Sequence, residues 1–544
     1  GEPVLRIFCF VISWCLIAFA QPDLSGFVSI LGAACGYGFF WYSLEPLKKP
    51  SLPLRTLFVS CFFWIFTIEG IHFSWMLSDQ YIGKLIYLVW LTLITILSVL
   101  FSGFSCLLVA IVRQKRTAFL WSLPGVWVAI EMLRFYGIFS GMSFDYLGWP
   151  MTASAYGRQF GGFLGWAGQS FAVIAVNMSF YCLLLKKPHA KMLWVLTLLL
   201  PYTFGAIHYE YLKHAFQQDK RALRVAVVQP AHPPIRPKLK SPIVVWEQLL
   251  QLVSPIQQPI DLLIFPEVVV PFGKHRQVYP YESCAHLLSS FAPLPEGKAF
   301  LSNSDCATAL SQHFQCPVII GLERWVKKEN VLYWYNSAEV ISHKGISVGY
   351  DKRILVPGGE YIPGGKFGSL ICRQLFPKYA LGCKRLPGRR SGVVQVRGLP
   401  RIGITICYEE TFGYRLQSYK RQGAELLVNL TNDGWYPESR LPKVHFLHGM
   451  LRNQEFGMPC VRACQTGVTA AVDSLGRILK ILPYDTRETK APSGVLETSL
   501  PLFNYKTLYG YCGDYPMILI AFCAVSYLGG GFLGYRLLAK KEIR

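Results

Sequence analysis

The sequence predicts a polytopic α-helical membrane domain joined to one large water-exposed α/β domain. Three observations lead to this fold class. The 544 residues are 52% hydrophobic and only 16% charged, whereas soluble domains carry about 25% charged residues. The apolar residues form long runs near both ends of the chain, while the middle mixes charges, turns and short apolar segments. The length also exceeds that of one ordinary domain.

Eight apolar runs are candidates for membrane spans, because a spanning helix needs about 20 apolar residues. Seven of them precede the water-exposed region and one follows it. The first run ends in Ala18-Phe19-Ala20, so a cleaved signal peptide is an alternative interpretation of that run. The eight runs lie at 4–20, 24–44, 54–75, 85–112, 117–134, 161–185, 192–210 and 516–535.

Basic residues beside these runs predict the orientation, because short cytoplasmic loops carry an excess of Lys and Arg. The opposite loops hold only Lys84 or Arg158. Both termini are therefore expected in the cytoplasm of a bacterial cell, with the water-exposed domain on the periplasmic side of the inner membrane. The basic clusters lie at 48–49, 113–116, 186–191 and 540–544. The expected domains are a membrane domain at 1–215, a catalytic domain at 220–500, and a final span with a basic tail at 512–544.

The formal net charge of +22 raises nucleic-acid binding as a function class. Many of the cations stand beside apolar runs, which is typical of proteins at a membrane surface. No zinc-finger, homeodomain or ribonucleoprotein motif occurs, and the 16 Cys form no CxxC pair. We therefore expect a lipid bilayer as the partner, no nucleic acid, no metal and no cofactor, in a monomeric protein.

Two features of the membrane part are unusual. Glu131 lies inside the fifth run and Arg134 follows at its end. Charged residues inside spans are costly and often functional, but an ion pair between these two near the interface is the alternative. The aromatic loop at 144–150 is expected at the outer interface, where it would anchor the protein, with binding of a lipid as the alternative.

The water-exposed region contains short apolar runs that predict strands covered on both faces. Helical stretches at 244–253 and 443–456 lie between some of them, which indicates a layered α-β-β-α domain. Residues 364–392 are rich in Gly, Pro, Lys and Arg and are interpreted as an irregular insertion. The predicted strands lie at 223–228, 262–265, 318–322, 337–341, 393–396, 402–406, 426–430 and 468–472.

Three strand ends in this region carry residues with catalytic chemistry. Glu267 comes after a buried strand and a Pro, Lys352 lies in a charged triplet, and Cys407 ends an apolar strand. Each residue alone has a simpler interpretation: a surface carboxylate, a solvated cation and a packed thiol, respectively. Their common position at strand ends makes them candidates for one site.

Taken together, Glu, Lys and Cys in this order, each after a strand, resemble the nitrilase superfamily over about 223–495. The run Asn432-Asp433-Gly434-Trp435 extends the resemblance. With the flanking spans, the chain is similar to the bacterial apolipoprotein N-acyltransferases, and the segment 352–363 is close to that family's Lys motif. The chain departs from the family pattern at Gly358, at Val268–Val270, at Gln465-Thr466 and in the insertion at 364–392.

The resemblance implies a role for each candidate. Cys407 is expected to be the nucleophile, Glu267 the general base and Lys352 the stabiliser of the oxyanion. A thioester would then divide one difficult acyl transfer into two easier steps, and a nearby Lys would lower the pKa of the thiol. The residues expected near the site or the substrate are Glu360, Tyr408, Glu409, Trp246 and Trp435.

The implied reaction moves the sn-1 acyl chain of a phospholipid, through the cysteine thioester, to the α-amine of an S-diacylglyceryl cysteine. That cysteine is the N-terminus of an apolipoprotein. One alternative is a membrane-anchored amidase or nitrilase, which needs the same three residues but no access to lipid. A transporter or scaffold with a degenerate domain is a second alternative, and a transporter should show broken inverted repeats.

Overall fold

The computed structural model describes most of the chain, and the described residues form two compact units. The first unit comprises Gly1–Leu77, Lys84–Leu212 and Thr507–Arg544, and the second comprises Ser78–Gly83 and Lys213–Lys506. The described residues are 2–44, 52–137, 143–235, 241–345, 347–377, 385–484 and 492–542.

Long helices dominate the first unit and short helices flank the sheets of the second. The described α-helices are α1 (Glu2–Ala18), α2 (Gly26–Leu31), α3 (Tyr37–Ser43), α4 (Leu54–His72), α5 (Leu85–Arg113), α6 (Leu123–Tyr136), α7 (Ala155–Leu184), α8 (Ala190–Phe216), α9 (Ile243–Val253), α10 (Tyr281–Leu288), α11 (Asn303–Phe314), α12 (Gly365–Leu375), α13 (Gly413–Arg421), α14 (Leu441–Gly449), α15 (Leu451–Phe456), α16 (Leu508–Cys512) and α17 (Tyr515–Glu542).

Six helices in the described part of the chain are long and apolar enough to cross a membrane. They match the third to eighth predicted spans and lie in α4, α5, Thr117–Tyr136, α7, α8 and the first part of α17. The first predicted span is the 17-residue helix α1. The second is divided into α2, a π-helical turn at Gly32–Gly36 and α3. The count of eight spans is therefore approximate, since these two fall short of the length of the others.

Aromatic and small residues fill the interior of the first unit. Phe40 and Trp64 stack with their ring centroids 3.8 Å apart, and both rings belong to the main buried cluster. Close helix packing depends on Gly125, where an added Cβ would lie 2.6 Å from the Cβ of Ala524. Helices α6 and α17 can approach this closely only because residue 125 has no side chain.

The structure bears on both unusual features of the membrane part. Glu131 and Arg134 do not form the ion pair that their spacing allows. The Leu147 N–H donates to Glu131 Oε1 at 2.7 Å, and Arg134 donates to the Phe144 carbonyl at 3.3 Å. The aromatic loop is packed inside the unit, with Trp149 only 1% exposed. This corrects the expected interfacial anchor, because a buried ring cannot reach lipid headgroups.

The second unit contains two six-stranded sheets and a two-stranded pair. The first sheet has the order β14-β1-β2-β5-β6-β7 and the second has the order β13-β12-β11-β10-β9-β8. The strands are β1 (Ala222–Gln229), β2 (Leu262–Ile264), β3 (Tyr279–Pro280), β4 (Phe300–Leu301), β5 (Val318–Lys328), β6 (Val331–Ile341), β7 (Ser347–Asp351), β8 (Val393–Val394), β9 (Ile402–Ile406), β10 (Leu426–Thr431), β11 (Cys460–Cys464), β12 (Ala470–Val472), β13 (Ile478–Ile481) and β14 (Gly494–Pro501).

Three layers of buried side chains hold this unit together. One layer lies between the sheets and joins residues such as Val227 and Ile264 to Ile404 and Val428. A second packs α9, α10 and α11 against the first sheet, and a smaller one packs α14 against the second sheet. The predicted α-β-β-α sandwich is confirmed. Strands buried on both faces have continuous apolar sequences, which is why β9 was predicted at its observed bounds.

The insertion at 364–392 is not wholly irregular, which corrects the sequence interpretation. Residues 365–375 form α12, and residues 378–384 lie outside the described part of the chain. The apolar residues Phe367, Leu370, Ile371 and Leu375 recur at helical spacing. Glycine and basic residues dominate the local composition and masked this period.

Candidate active site

The structure brings the three strand-end candidates of the second unit together. Strands β1, β2 and β5 run parallel, as do β9, β10 and β11. Two antiparallel steps, β5 to β6 and β6 to β7, return β7 to the direction of β2. Glu267 and Lys352 therefore both lie at the carboxyl-terminal ends of strands of the first sheet, on the same side of that sheet. Cys407 follows β9 in the second sheet and interacts electrostatically with both.

Lys352 is a fully buried cation held between two carboxylates. Its Nζ lies 2.9 Å from Glu360 Oε2 and 4.0 Å from Glu267 Oε1. Glu360 is fixed in turn by Arg385 at 2.6 Å and by the Val356 N–H at 2.8 Å. An ammonium group has three N–H donors, so Lys352 has donors left for a substrate after its contact with Glu360.

Glu267 is also buried, with 7% of its surface exposed. Its Oε1 accepts a short hydrogen bond from the side-chain amide of Asn336, and its Oε2 has no hydrogen-bond partner. The same Asn336 amide lies 3.4 Å from Glu360. One oxygen of Glu267 is thus held in place, and the other is available to accept a proton.

Cys407 occupies a strained position at the sharp turn that ends β9. Its φ is +52°, a left-handed conformation that non-glycine residues rarely adopt, and such strain is concentrated at functional sites. The side-chain amide of Asn429 donates to the Cys407 carbonyl at 3.1 Å and to Thr405 Oγ1 at 2.9 Å. The turn therefore presents the sulfur in a fixed, partly exposed position.

Glu409 ties the Lys352 and Cys407 segments to each other. It accepts the backbone N–H groups of Arg353 at 2.6 Å and Ile354 at 3.0 Å, directly after Lys352. It also accepts the Ile406 N–H at 2.8 Å, directly before Cys407. The Tyr350 hydroxyl bonds both carboxylate oxygens, at 2.8 and 2.9 Å. We infer that Glu409 is a positioning residue.

The other predicted residues lie in different surroundings. Tyr408 is buried beside Cys407, with its ring against Phe412 at 4.7 Å. Trp435 is half-buried in the loop after β10. Trp246 is fully buried in the core under the first sheet, where its indole N–H donates to Asn303 at 2.9 Å. Its substrate-facing role stays a prediction, because its described contacts are those of a core residue.

Burial and charge set the electrostatics of the site. Burial raises the pKa of Glu267, an effect that Lys352 opposes and Glu360 reinforces. Burial would lower the pKa of Lys352, but attraction to Glu360, Cys407 and Glu267 raises it overall. Burial also raises the pKa of Glu360, but Lys352 and Arg385 outweigh it and hold the value at about 2. Lys352 and Glu360 are therefore a charged pair at neutral pH.

The Cys407 thiol differs from the sequence expectation of a lowered pKa. Burial and the negative charge of Glu267 raise its pKa to about 12, although Lys352 acts in the opposite direction. The sequence reveals the neighbouring cation but not the depth of burial or the distance of the carboxylate. The resting nucleophile is therefore a thiol that needs a base, and Glu267 is the candidate for that base.

Sequence reasoning missed Asn336 and Arg385. Asn336 lies in β6 with a polar side chain that is only 1% exposed. The predicted strand at 337–341 began one residue after it, so no signal in the sequence indicated its burial. Arg385 comes from the far end of the insertion and reaches Glu360 at 2.6 Å. Nothing in its charged local sequence separates it from solvated neighbours.

Comparison with known proteins identifies the family. Residues 13–179 match the apolipoprotein N-acyltransferase N-terminal domain and residues 224–496 match the carbon-nitrogen hydrolase family. The apolipoprotein N-acyltransferase of Chlamydia caviae is 58% identical over 99% of this chain and 100% of that protein. The chain belongs to the apolipoprotein N-acyltransferase family. The predicted enzyme class, a membrane acyltransferase with a carbon-nitrogen hydrolase fold, is confirmed.

More distant similarity is found to two further proteins. The apolipoprotein N-acyltransferase of Geobacter metallireducens is 25% identical, with 87% of both chains covered. Among solved structures, a variant of the amidase from Nesterenkonia sp. AN1 is 16% identical with a TM-score of 0.34, and covers 51% of this chain and 93% of that one.

The departures from the family pattern have local structural explanations. Gly358 has a φ of +76° and its N–H donates to the Tyr361 carbonyl at 2.8 Å. A Phe in that conformation would be strained. Val269 and Val270 are fully buried in the core beneath the first sheet. Gln465 is buried too, and its amide lies 3.5 Å from the Val268 carbonyl.

Alkylation of Cys407 tests the state of the thiol. Because its pKa is raised to about 12, we expect its rate of reaction with iodoacetamide to rise by about tenfold per pH unit up to pH 10, since the thiolate is the reactive form. Mass spectrometry of the peptide that contains Cys407 measures the rate, with free cysteine as the control. A plateau near pH 8.5, as for the free amino acid, would contradict the raised pKa.

Proposed function

We propose that this chain transfers an acyl chain from a phospholipid to Cys407 and from there to the N-terminal amine of an apolipoprotein. One observation carries the proposal. A buried carboxylate, Glu267, and a buried ammonium, Lys352, stand 4.0 Å apart and both act electrostatically on the strained Cys407. The described residues of the same chain include six helices suited to a membrane, where lipid substrates are found.

The first step forms the thioester. Glu267 takes the proton of the Cys407 thiol, and the sulfur attacks the sn-1 ester carbonyl of the phospholipid. Negative charge develops on the carbonyl oxygen, where a free N–H of Lys352 stabilises it. When the C–O bond breaks, protonated Glu267 returns its proton to the departing oxygen, and a lysophospholipid is released.

The second step transfers the acyl group. The α-amine of a diacylglyceryl cysteine attacks the thioester carbonyl, and Glu267 accepts a proton from the amine nitrogen. Lys352 again stabilises the oxyanion. The C–S bond then breaks and the sulfur leaves as a thiolate that takes the proton from Glu267. An amide is more stable than a thioester or an ester, so no nucleotide is consumed.

Helix α12 supplies a surface for a lipid partner. Phe367, Leu370 and Leu375 are 74%, 55% and 66% exposed, although buried positions are the rule for such residues. They share one side of the helix by their spacing, and Lys366 and Arg373 lie in the same helix. An apolar face with basic residues suits the surface of an anionic bilayer. We propose that this face contacts the lipid that donates the acyl chain.

Charged residues on this face should separate lipid access from chemistry. We expect Leu370→Glu with Leu375→Glu to reduce transfer from phospholipid in vesicles by at least about tenfold, because each charge opposes insertion of the face. Acylation of Cys407 by a soluble thioester should stay unchanged. Ile478→Glu with Leu479→Glu, on the exposed strand β13, is the matched control. The role of α12 would be contradicted if the α12 variant lost as much activity with the soluble thioester as with phospholipid. It would also be contradicted if the β13 variant lost as much activity as the α12 variant.

The orientation and domain limits remain part of the proposal. The basic clusters beside the spans favour cytoplasmic termini and a catalytic domain at 220–500 on the periplasmic side. The flanking segments are 1–215 and 512–544. We expect a monomer that binds no nucleic acid. Cysteine labelling in intact cells with a membrane-impermeant reagent tests this orientation. A Cys introduced at 187 should be protected, and a Cys introduced at 329 should be labelled.

A transfer assay tests the function against the amidase alternative. The purified full-length chain is mixed in detergent with phospholipid labelled in the sn-1 chain and a synthetic diacylglyceryl lipopeptide. The proposal predicts label on the lipopeptide amine and an equal amount of lysophospholipid. The same lipopeptide with an acetylated amine is the control and should receive no label. Release of the label only as free fatty acid, or release of ammonia from simple amides, would support hydrolysis instead.

A further inference from the structure

The first unit contains a buried group of side chains that the acyl transfer does not use. Glu69 and His72 lie in the last turn of α4, and Asp145 lies in the loop before α7. One ligand atom from each falls within 4.8 Å of the others. We call these three residues the α4 cluster.

The hydrogen bonds of His72 fix which ring nitrogen can bind a ligand. Its Nε2 lies 3.0 Å from the Ile17 carbonyl, and a carbonyl only accepts, so Nε2 carries a proton. Its Nδ1 faces Asp145 Oδ2 at 2.9 Å. Metal-binding histidines characteristically donate one ring N–H to a carbonyl or carboxylate and bind the metal through the other nitrogen. In His72 the Nε2 makes the supporting hydrogen bond, and the Nδ1 is the nitrogen that would bind the metal.

Asp145 is held in a costly conformation. Its φ is +56°, which non-glycine residues adopt only where the surroundings impose it. The side-chain amide of Gln21 donates to Oδ1 at 2.7 Å, which leaves Oδ2 directed toward His72. A supporting hydrogen bond of this kind orients carboxylate ligands in metal sites.

A small cavity adjoins the α4 cluster, and a further carboxylate borders it. The cavity has a volume of about 30 Å³, and Glu131 and Arg134 share its lining with the cluster. Glu131 is 2% exposed, and its Oε2 has no hydrogen-bond partner. A buried unpaired carboxylate oxygen is costly, and the cavity is large enough to hold a water-sized ligand beside it.

A bound divalent cation is one way to balance the carboxylates around this cavity. Glu69, Asp145 and Glu131 contribute three negative charges when ionised, and Arg134 contributes one positive charge. With neutral His72, a divalent ion would bring the total to zero. We propose that the α4 cluster binds a divalent transition metal of the zinc class through His72 Nδ1, Asp145 Oδ2 and a Glu69 oxygen, with the cavity holding a water or Glu131 as the fourth ligand.

The donor set and spacing fit such an ion. One imidazole and two carboxylates are ligands that zinc accepts at about 2.0–2.2 Å. Tetrahedral ligands at this distance lie about 3.4 Å from each other, against 2.9 Å for the His72–Asp145 pair and up to 4.8 Å across the cluster. Rotation of the long Glu69 side chain closes the remaining gap. The metal would fasten the loop of Asp145 to the end of α4.

Metal binding to the purified full-length chain tests this site. The protein is incubated with Zn²⁺ in detergent, freed of unbound ion by gel filtration and analysed for zinc per chain. X-ray absorption of the zinc then reports its ligands, because zinc–nitrogen and zinc–oxygen distances of about 2.0–2.2 Å differ from the zinc–sulfur distance of about 2.3 Å. The variants are His72→Gln and Asp145→Asn. His208→Gln, on α8 in the same unit, is the matched control.

We expect about one zinc per chain in the wild type and in the His208 variant, bound by nitrogen and oxygen without sulfur. Each cluster variant should lose this equivalent. The wild type alone decides the matter if a cluster variant fails to fold. Less than a half equivalent of zinc in the wild type, sulfur ligation, or full binding by a folded His72→Gln protein would overturn the proposal.

Discussion

Lys352→Met is expected to lower kcat/KM for acyl transfer by at least about 10³-fold. Removal of one oxyanion donor typically costs about 10²–10³-fold, and Lys352 also opposes the raised pKa of the Cys407 thiol. The loss should therefore reach both the attack of the sulfur and the stability of the tetrahedral intermediate. The rate of the transfer assay with labelled phospholipid and lipopeptide measures the effect.

The same substitution should also weaken the fold. Lys352 is completely buried between Glu267 and Glu360, and removal of one partner of a buried ion pair costs about 3–5 kcal/mol. Lys420→Met is the matched control, because Lys420 is a half-buried cation of the same unit that contacts Asn504 at 3.2 Å. Activity within tenfold of the wild type in folded Lys352→Met protein would contradict the proposed oxyanion role.

Glu267→Gln is expected to reduce the rate of acyl-enzyme formation by about 10²–10⁴-fold, the range for loss of a general base. Glutamine has the shape of glutamate and can still accept the hydrogen bond of Asn336 through its oxygen, so the site should keep its geometry. The thiol would remain, but the group that takes its proton would be lost. Stopped reactions with labelled phospholipid give the acylation rate.

The pH dependence supplies a second test of Glu267. Burial raises its pKa above the ordinary value for glutamate, and a base acts only when it is ionised. The wild-type rate should therefore decline on the acid side at a higher pH than an ordinary carboxyl would cause, and Glu267→Gln should lose this decline. Glu425→Gln, at a half-buried position that pairs with Arg221 instead of Lys352, is the control. An acid limb that is unchanged in Glu267→Gln would assign the base to another residue.

Much of the candidate site could be predicted because strands buried on both faces appear in the sequence as continuous apolar runs. Such runs marked β2, which Glu267 follows, and β9, which Cys407 follows. Parallel strands end at a common edge of a sheet, so residues at strand ends meet although they are far apart in sequence. The order of Glu, Lys and Cys then connected these positions to one family.

The rest depends on contacts that no local pattern encodes. Arg385 reaches Glu360 from the insertion, and Asn336 reaches Glu267 from the antiparallel strand β6. The raised pKa of Cys407 follows from burial, which sequence does not measure. In the first unit, the fold brings Asp145 to His72 across 73 residues of chain. The sequence singled out Glu131, but it could not show which residues border the same cavity.

Capture of the acyl-enzyme tests the central claim most directly. The purified chain is incubated with phospholipid labelled in the sn-1 chain, without acceptor, beside Cys407→Ser. The account predicts label on the wild type alone, removable by hydroxylamine and located by mass spectrometry on the peptide that contains Cys407. Folded wild-type protein that takes up no label from several phospholipid headgroups, or Cys407→Ser protein that carries the same labile label, would contradict transfer through a Cys407 thioester.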